Sequence, residues 1–214
     1  MRIAQVSQFF EEVSSESESP EVRGVEFLTR SLMRFGHEVT VFASGDSRVS
    51  GRLVPVSPQA LRHYPSPKRH LSEGLTFLAI EKVCSMESSF DLLHVHAGFA
   101  AFPLMRRSPL PSVATVYGSL DAPEILRLFR EFNELPLVAT SAEQIRQCPE
   151  LNWLALIPVP GPCPPREVHA ETMDSLVETA TAYTAVYEGI VERAARHSHV
   201  VRPAYSLQGL QTTV

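Results

Sequence analysis

The sequence predicts an α/β fold in which helices cover both faces of one parallel sheet. Short apolar runs, such as residues 2–7 and 92–95, alternate along the chain with segments whose apolar residues recur at helical spacing. The run at 92–95 has apolar or half-apolar side chains throughout, which is typical of a strand buried on both faces. Strands and helices repeated in this order favour a doubly wound parallel sheet.

The first half of the chain contains three predicted strands and two predicted helices. The strands are residues 2–7, 37–43 and 53–56. Gly24 precedes a helix predicted over 25–35, in which the apolar residues share one face and Glu26 is expected to be solvated. A second helix is predicted over 71–88. A strand, a glycine-bearing loop, a helix and a strand in this order form a right-handed βαβ unit.

The segment from Phe90 to Phe99 is predicted to contain the central strand. Its apolar core is followed by His96 and then by Ala97-Gly98, which lets the backbone turn. In an open parallel sheet, ligands bind in the crevice beyond the carboxyl ends of the strands. Because an imidazole titrates near neutrality and can donate or accept a proton, His96 is the candidate catalytic residue. The alternative is a packed histidine that is hydrogen-bonded to a loop carbonyl.

The second half of the chain repeats the strand and helix alternation. The predicted elements are a helix at 99–107, a strand at 112–117, a helix from Asp121, a strand at 135–140, a helix start at 141–144 and a strand at 153–157. Asp121 is expected to be the N-cap of its helix, which has Pro123 in the first turn. Ser141 and Gln144 have the spacing of a capping box.

A change of composition ends this pattern. Residues 158–165 contain five prolines and read as an extended linker. Beyond them, 171–196 has the apolar stripe of a long amphipathic helix, which must dock on another surface. We therefore predict an α/β domain at 1–162, a linker at 163–170, a returning helix at 171–197 and a tail at 198–214.

Composition excludes several classes of function. The net charge is −5, and the basic residues are scattered, so no stripe for nucleic acid is expected. No apolar run reaches the length of a membrane span, and no signal peptide precedes the first strand, which predicts a cytoplasmic protein. The three cysteines lack metal-binding spacing, so neither a metal nor a cofactor is expected.

Several motifs resemble, in order and spacing, the N-terminal domain of glycosyltransferases with the GT-B fold and family-4 type. They are Met1 to Val6, Phe35 to Ser47, Phe90 to His96, Thr115 to Glu124 and Ser141 to Gln144. In that family two Rossmann-like domains face each other, with the acceptor in the first and most of the nucleotide-sugar donor in the second. The resemblance implies a retaining transfer that needs no metal.

The resemblance also assigns roles to individual residues. The strand-end histidine of the family falls on His96, where it would touch the sugar and the acceptor. The glycine-rich loop that approaches the donor diphosphate is represented by Gly24, with Arg23 in place of a neighbouring glycine. Tyr117 replaces the histidine that precedes the glycine of the fifth strand, and Gly118 is that glycine. Arg23, Gly24, Tyr117 and Gly118 are therefore the predicted substrate-binding residues.

A donor-binding domain of this family does not fit after residue 162, because about 150 residues would be needed. The sequence therefore predicts the acceptor half of a glycosyltransferase, which transfers sugar only when another protein supplies the donor domain. The alternative is a non-catalytic binding or scaffolding module that pairs with itself or with a full-length relative. A nucleotide-cofactor enzyme of another Rossmann type is disfavoured, since no GxGxxG motif follows the first strand.

Overall fold

A computed structural model describes residues 1–66, 68–159 and 171–198, excluding the side chains of residues 69, 171–173, 197 and 198. Seven parallel strands form one sheet in the order β3-β2-β1-β4-β5-β6-β7. The strands are β1 Arg2–Val6, β2 Glu38–Ser44, β3 Arg52–Ser57, β4 Leu92–Val95, β5 Ser112–Val116, β6 Leu137–Ala139 and β7 Trp153–Leu156. The predicted fold class, one doubly wound Rossmann-like sheet with a returning helix, is confirmed.

Six α-helices connect or cover the strands within the described residues. They are α1 Pro20–Arg34, α2 Ser72–Ser85, α3 Phe102–Met105, α4 Pro123–Glu131, α5 Ala142–Gln147 and α6 Glu171–Ser198. Single 3-10 turns occupy Leu61–His63, Arg69–Leu71, Glu87–Ser89 and Phe99–Ala101. Each predicted strand is present, and the helix predicted at 99–107 is a 3-10 turn followed by the short helix α3.

The sheet separates two layers of apolar packing. Val6 and Val95 point toward α2, α3 and α4, where Ile80, Phe102 and Phe129 are buried. Residues on the opposite face of the strands pack under α1 and α6; they include Ile3, Leu92, Val113 and Val138. This division follows from the two-residue period of side-chain direction along a strand. The prediction that the last helix docks on the domain is confirmed, because α6 packs against α1 and this face of the sheet.

A parallel connection without a helix links β2 to β3. Its residue Ser50 donates hydrogen bonds to the Glu26 carboxylate from its backbone amide (2.9 Å) and its hydroxyl (2.6 Å). Glu26 is 4% exposed, so the expectation that it is a solvated helix residue is wrong. Gly51 follows, and a Cβ there would lie 2.7 Å from the Val39 carbonyl oxygen. The hydrogen bonds to Glu26 and the close approach at Gly51 thus hold this connection against α1 and the sheet.

Helix termini account for most differences from the sequence predictions. Helix α1 begins at Pro20 and not after Gly24, because proline is well suited to the first position of a helix. Asp121 does not cap α4; Ala122 is the N-cap residue, and no side chain caps this helix. The capping box of Ser141 and Gln144 is confirmed.

The predicted linker at 163–170 and the proline-rich segment at 160–162 lie outside the described residues. Of the predicted tail at 198–214, only Ser198 is described, as the last residue of α6. The domain boundaries therefore stay a prediction. None of the described helices combines the length and the apolar character needed to cross a bilayer.

Candidate functional site

The carboxyl ends of all seven strands meet at one edge of the sheet, because every strand pair is parallel. Strands β2 and β3 are added on one side of β1, and strands β4 to β7 on its other side. Open α/β sheets form a ligand crevice at such a switch point, which here lies between β1 and β4. His96 follows β4 at this point, and its amide donates to the carbonyl oxygen of Val6 (2.8 Å). The backbone of His96 therefore stands where the sequence predicted it.

The His96 side chain is completely buried, so its ring does not reach the surface. Its Nδ1 atom lies 2.8 Å from the hydroxyl of Tyr117, and a hydrogen bond joins them. Its Nε2 atom has no hydrogen-bond partner among the described residues. Burial lowers the pKa of His96 to about 3, so the imidazole is neutral at physiological pH. The ring can orient Tyr117, but it does not supply a positive charge.

Tyr117 and Gly118 lie directly after β5. Tyr117 is half-buried and lines a cavity, and its hydroxyl is held by His96. Burial raises the pKa of Tyr117 well above 10, and the nearby Tyr183 and Glu21 raise it further, so the phenol stays protonated. Gly118 has φ of +75°, a conformation that favours glycine, and its carbonyl oxygen accepts a 2.7 Å hydrogen bond from the Gln144 side chain. These contacts fix the turn that carries Tyr117.

Arg23 and Gly24 lie inside α1 and not in a loop. The Arg23 guanidinium donates to the carbonyl oxygens of Ser17 (2.8 Å) and Glu18 (3.1 Å), so it fastens the segment that leads into its own helix. Gly24 is the fifth residue of α1, beyond the four amides that a helix start leaves free. A Cβ at Gly24 would lie 3.2 Å from Val159 and 3.6 Å from the Tyr117 hydroxyl. The missing side chain makes room for Val159.

A cavity of about 220 Å³ opens at the carboxyl ends of β4 and β5. Tyr117 and Ser119 lie on the β5 side, Ala97 and Gly98 follow β4, and Glu21 contributes from the first turn of α1. The large apolar side chains of its wall are Phe99, Phe102, Val116, Leu120, Ile125 and Phe129. The arrangement can enclose a small, mostly apolar molecule beside the polar side chains of Glu21, Thr115, Tyr117 and Ser119.

Glu21 is a residue of this cavity that the sequence analysis missed. It is half-buried, and no described residue donates a hydrogen bond or a positive charge to its carboxylate. Burial raises the pKa of Glu21 to about 7, with a smaller contribution from the charge of Glu11. The serine- and acid-rich segment before it resembles a solvated loop. Pro20 was the available signal, because proline at the first helical position places Glu21 in the first turn.

A buried polar network lies behind the cavity and connects the sheet to α6. The His94 ring is bonded through Nδ1 to the hydroxyl of Tyr187 (2.7 Å) and through Nε2 to the hydroxyl of Thr115 (2.8 Å). Thr115 is also bonded to the hydroxyl of Tyr183 (2.9 Å). The rings of His94 and His96 are 3.9 Å apart. The helix that closes the domain is therefore bonded to the strand that carries the candidate catalytic residue.

One group of potential metal ligands occurs among the described residues: Glu12, Asp46 and His63. Their ligand atoms already have protein partners. Glu12 pairs with Arg62 at 2.5 Å and with His63 at 3.0 Å, and both carboxylate oxygens of Asp46 accept from the amide of Ala60. This group therefore stabilises loops, and the prediction that the chain uses no metal stays a prediction.

Comparison with known proteins gives a family. The sequence model of Glycosyltransferase Family 4 matches residues 22–148, which is more than half of the chain. This range includes His96, Tyr117 and all of α1 except Pro20 and Glu21. No curated protein sequence is significantly similar to the chain.

A solved structure with a TM-score above 0.5 supports the fold, and two further structures are less similar. A sucrose-phosphate synthase structure from Thermosynechococcus elongatus is 16% identical with a TM-score of 0.53, and the match covers 88% of this chain and 98% of that one. MurG from Acinetobacter baumannii is 11% identical (TM-score 0.47; 75% and 46% covered). The Streptomyces sp. SF2575 glycosyltransferase SsfS6 is 17% identical (TM-score 0.42; 80% and 59% covered). This chain spans roughly half the length of the last two.

Proposed function

This chain belongs to Glycosyltransferase Family 4, and we propose that it binds the acceptor of a retaining sugar transfer in the cavity at the ends of β4 and β5. In this proposal a nucleotide-sugar is held by a donor-binding domain outside these 214 residues. The observation that carries the proposal is the cavity itself, which adjoins the crevice of the parallel sheet and is lined by Tyr117, whose hydroxyl is fixed by His96.

His96 acts in this site as a positioning residue. Its neutral ring holds the hydroxyl of Tyr117 at 2.8 Å, and Tyr117 lines the cavity in which the acceptor would bind. A fixed hydroxyl aligns a bound acceptor more effectively than one that rotates freely. The family resemblance assigns direct contact with the sugar and the acceptor to His96. In this proposal Tyr117 makes that contact instead.

Two contacts argue against donor binding by this chain alone. A departing nucleotide diphosphate needs positive charges and free amides placed around it. The Arg23 guanidinium is engaged by the carbonyls of Ser17 and Glu18, and the backbone beside Gly24 is covered by Val159. A second domain must therefore supply most of the phosphate contacts.

Calorimetric titration with UDP-glucose and GDP-mannose tests the division of labour. We expect no binding to the chain alone, and we expect transfer after a donor-binding domain of a family-4 enzyme is inserted between Val159 and Glu171. In that chimera His96→Ala and Tyr117→Phe should each lower the transfer rate about tenfold or more. His70→Ala is the control, because His70 is exposed and distant in sequence from the cavity residues. Unchanged transfer rates in both cavity variants would refute the acceptor site proposed at His96 and Tyr117. Tight binding of a nucleotide-sugar to the chain alone would refute the proposal that a second domain binds the donor.

The second candidate function is a scaffolding module that associates with itself or with a relative. It is favoured by the outer surface around the start of α2, where Leu71, Phe77 and Leu78 are each more than 40% exposed. Exposed apolar residues grouped in this way mark interaction surfaces. Sedimentation of the wild type and of Phe77→Glu tests this candidate: a dimer that the substitution dissociates supports it, and a wild-type monomer at high concentration refutes it.

A further inference from the structure

Within the function proposed above, on which this inference rests, we propose that the acceptor is a small apolar alcohol or phenol. Its ring occupies the cavity at the ends of β4 and β5, and its hydroxyl donates a hydrogen bond to the carboxylate of Glu21. This assigns a substrate class to the cavity and a substrate-binding role to a residue in the first turn of α1.

The walls of the cavity favour a ring with few polar groups. Six large apolar side chains line it, among them Phe99, Phe102 and Phe129. A sugar carries a hydroxyl on almost every carbon, and hydroxyls that face apolar walls lose their hydrogen bonds to water without replacement. An apolar ring instead gains by leaving water. The cavity therefore selects against a free sugar.

Of the four polar side chains that line the cavity, Glu21 alone has no hydrogen-bond partner among the described residues, since Ser119 accepts a hydrogen bond from the Gln147 side chain (3.5 Å). The Thr115 hydroxyl is bonded to His94 and Tyr183, and the Tyr117 hydroxyl is bonded to His96. The Glu21 carboxylate has no such partner among the described residues. With a pKa of about 7, Glu21 is partly ionised at neutral pH. Its ionised form only accepts hydrogen bonds, so the complement of that form is a donor such as a hydroxyl. One carboxylate among apolar walls matches one hydroxyl on an apolar ring.

The size of the cavity limits the acceptor to about one ring with short substituents. An apolar cavity of about 150 Å³ binds benzene, and this cavity measures about 220 Å³. The raised pKa of Glu21, about 7, agrees with this picture, because it reports a carboxylate that the cavity desolvates without a compensating cation. A hydroxyl of the acceptor would restore part of the lost solvation.

Ligand binding to the full chain tests the proposal, with amide shifts in NMR as the readout. The probes are 4-methylphenol, toluene (which lacks the hydroxyl), 4-methylbenzylamine and glucose. We expect 4-methylphenol to shift the amides of Ala97, Gly98 and Ser119, toluene to bind about tenfold more weakly, and glucose to leave them unchanged. Glucose binding at these amides, or a preference for the amine over the phenol, would overturn the proposal.

Three variants connect the binding to the cavity. Glu21→Gln should weaken 4-methylphenol about fivefold to tenfold, since a neutral amide accepts a weaker hydrogen bond than a carboxylate. Ser119→Phe, at an exposed position on the rim, should fill the opening and abolish binding while the fold is retained. Glu18→Gln is the matched control, because this exposed carboxylate does not line the cavity. Equal affinity in wild type, Glu21→Gln and Ser119→Phe would place the ligand elsewhere and overturn the proposal.

The failure of this inference can be distinguished from the failure of the transferase function. If the chimera described above glycosylates a sugar and 4-methylphenol never occupies the cavity, the acceptor class is wrong and the transferase function stands. If 4-methylphenol binds with the expected dependence on Glu21 and no chimera transfers sugar to it, the cavity ligand stands and the transferase function is wrong.

Discussion

Replacing Tyr187 by Phe tests whether polar contacts secure α6 on the sheet. Tyr187 is completely buried, and its hydroxyl is 2.7 Å from Nδ1 of His94, which is also completely buried. The substitution removes one oxygen atom and keeps the ring. Because water does not reach this position, Nδ1 of His94 loses its partner without a replacement.

The expected cost follows from the asymmetry of buried hydrogen bonds. A buried polar atom that loses its partner costs about 1–3 kcal/mol. For a domain of this size, each kcal/mol corresponds to roughly 2–4 °C in Tm, so Tyr187→Phe should lower Tm by roughly 2–12 °C. Tyr183→Phe should cost less, about 0.5–1.5 kcal/mol. The reason is that the Thr115 hydroxyl, which loses Tyr183, keeps its bond to His94.

Thermal unfolding followed by circular dichroism, combined with urea titration, measures both variants. Tyr64→Phe is the control, because Tyr64 is half-buried outside this network and contacts Lys68 through its ring. If Tyr187→Phe is as stable as the wild type, or no less stable than Tyr183→Phe, then the hydroxyl does not secure the His94 ring and the reasoning fails.

Two further predictions concern pH and the connection between β2 and β3. Burial lowers the pKa of His96 from 6.5 to about 3, and it lowers that of His94 in the same direction. Below pH 6.5 the unfolded chain therefore binds protons that the folded chain does not bind, so the free energy of unfolding should fall by about 1.4 kcal/mol per pH unit for each histidine. Glu21 opposes this trend between pH 4.5 and about 7: its pKa is raised in the folded state, so the folded chain binds a proton that the unfolded chain does not bind. In urea titrations from pH 7 to 5, the free energy of unfolding of Glu21→Gln should therefore fall more steeply than that of the wild type. Gly51→Ala should lower the free energy of unfolding by about 1–3 kcal/mol, since the new Cβ would meet a backbone oxygen at 2.7 Å. Gly74→Ala, which has open space in α2, should raise it by up to about 1 kcal/mol. Equal urea midpoints for the two variants would contradict the contact at Gly51.

Local patterns were sufficient to predict the sheet. All strands except β7 are short apolar or β-branched runs that end at glycine or polar residues, and this pattern can be read without knowledge of the tertiary structure. The docking of the last helix was also predictable, because a stripe that includes Tyr183 and Tyr187 cannot remain exposed to water. Their positions in the sequence did not reveal that their hydroxyls bond to Thr115 and His94.

The side chains with long-range partners were harder to predict. Glu26 looked like a surface carboxylate because its partner, Ser50, is 24 residues away in the sequence. Glu21 was missed for the same reason, since the other residues that line its cavity come mainly from the ends of β4 and β5. The strand-end position of His96 was predicted correctly, but neither its complete burial nor its contacts with His94 and Tyr117 could be read from its neighbours in the sequence. The burial of a side chain and its hydrogen-bond partners are determined by the packed fold. The residues next to it in the sequence therefore do not reveal them.

The network around α6 also determines when the domain can finish folding during translation. His94 and Tyr187 are 93 positions apart, and contacts across such a separation form late because a long loop must first close. A ribosome must therefore synthesise the chain past Tyr187 before His94 and Thr115 gain their cover. Until then, the face of the sheet that α6 covers is exposed in the nascent chain, with the polar side chains of His94 and Thr115 at its centre. A chaperone that binds exposed sheet surfaces would bind the nascent chain at this face.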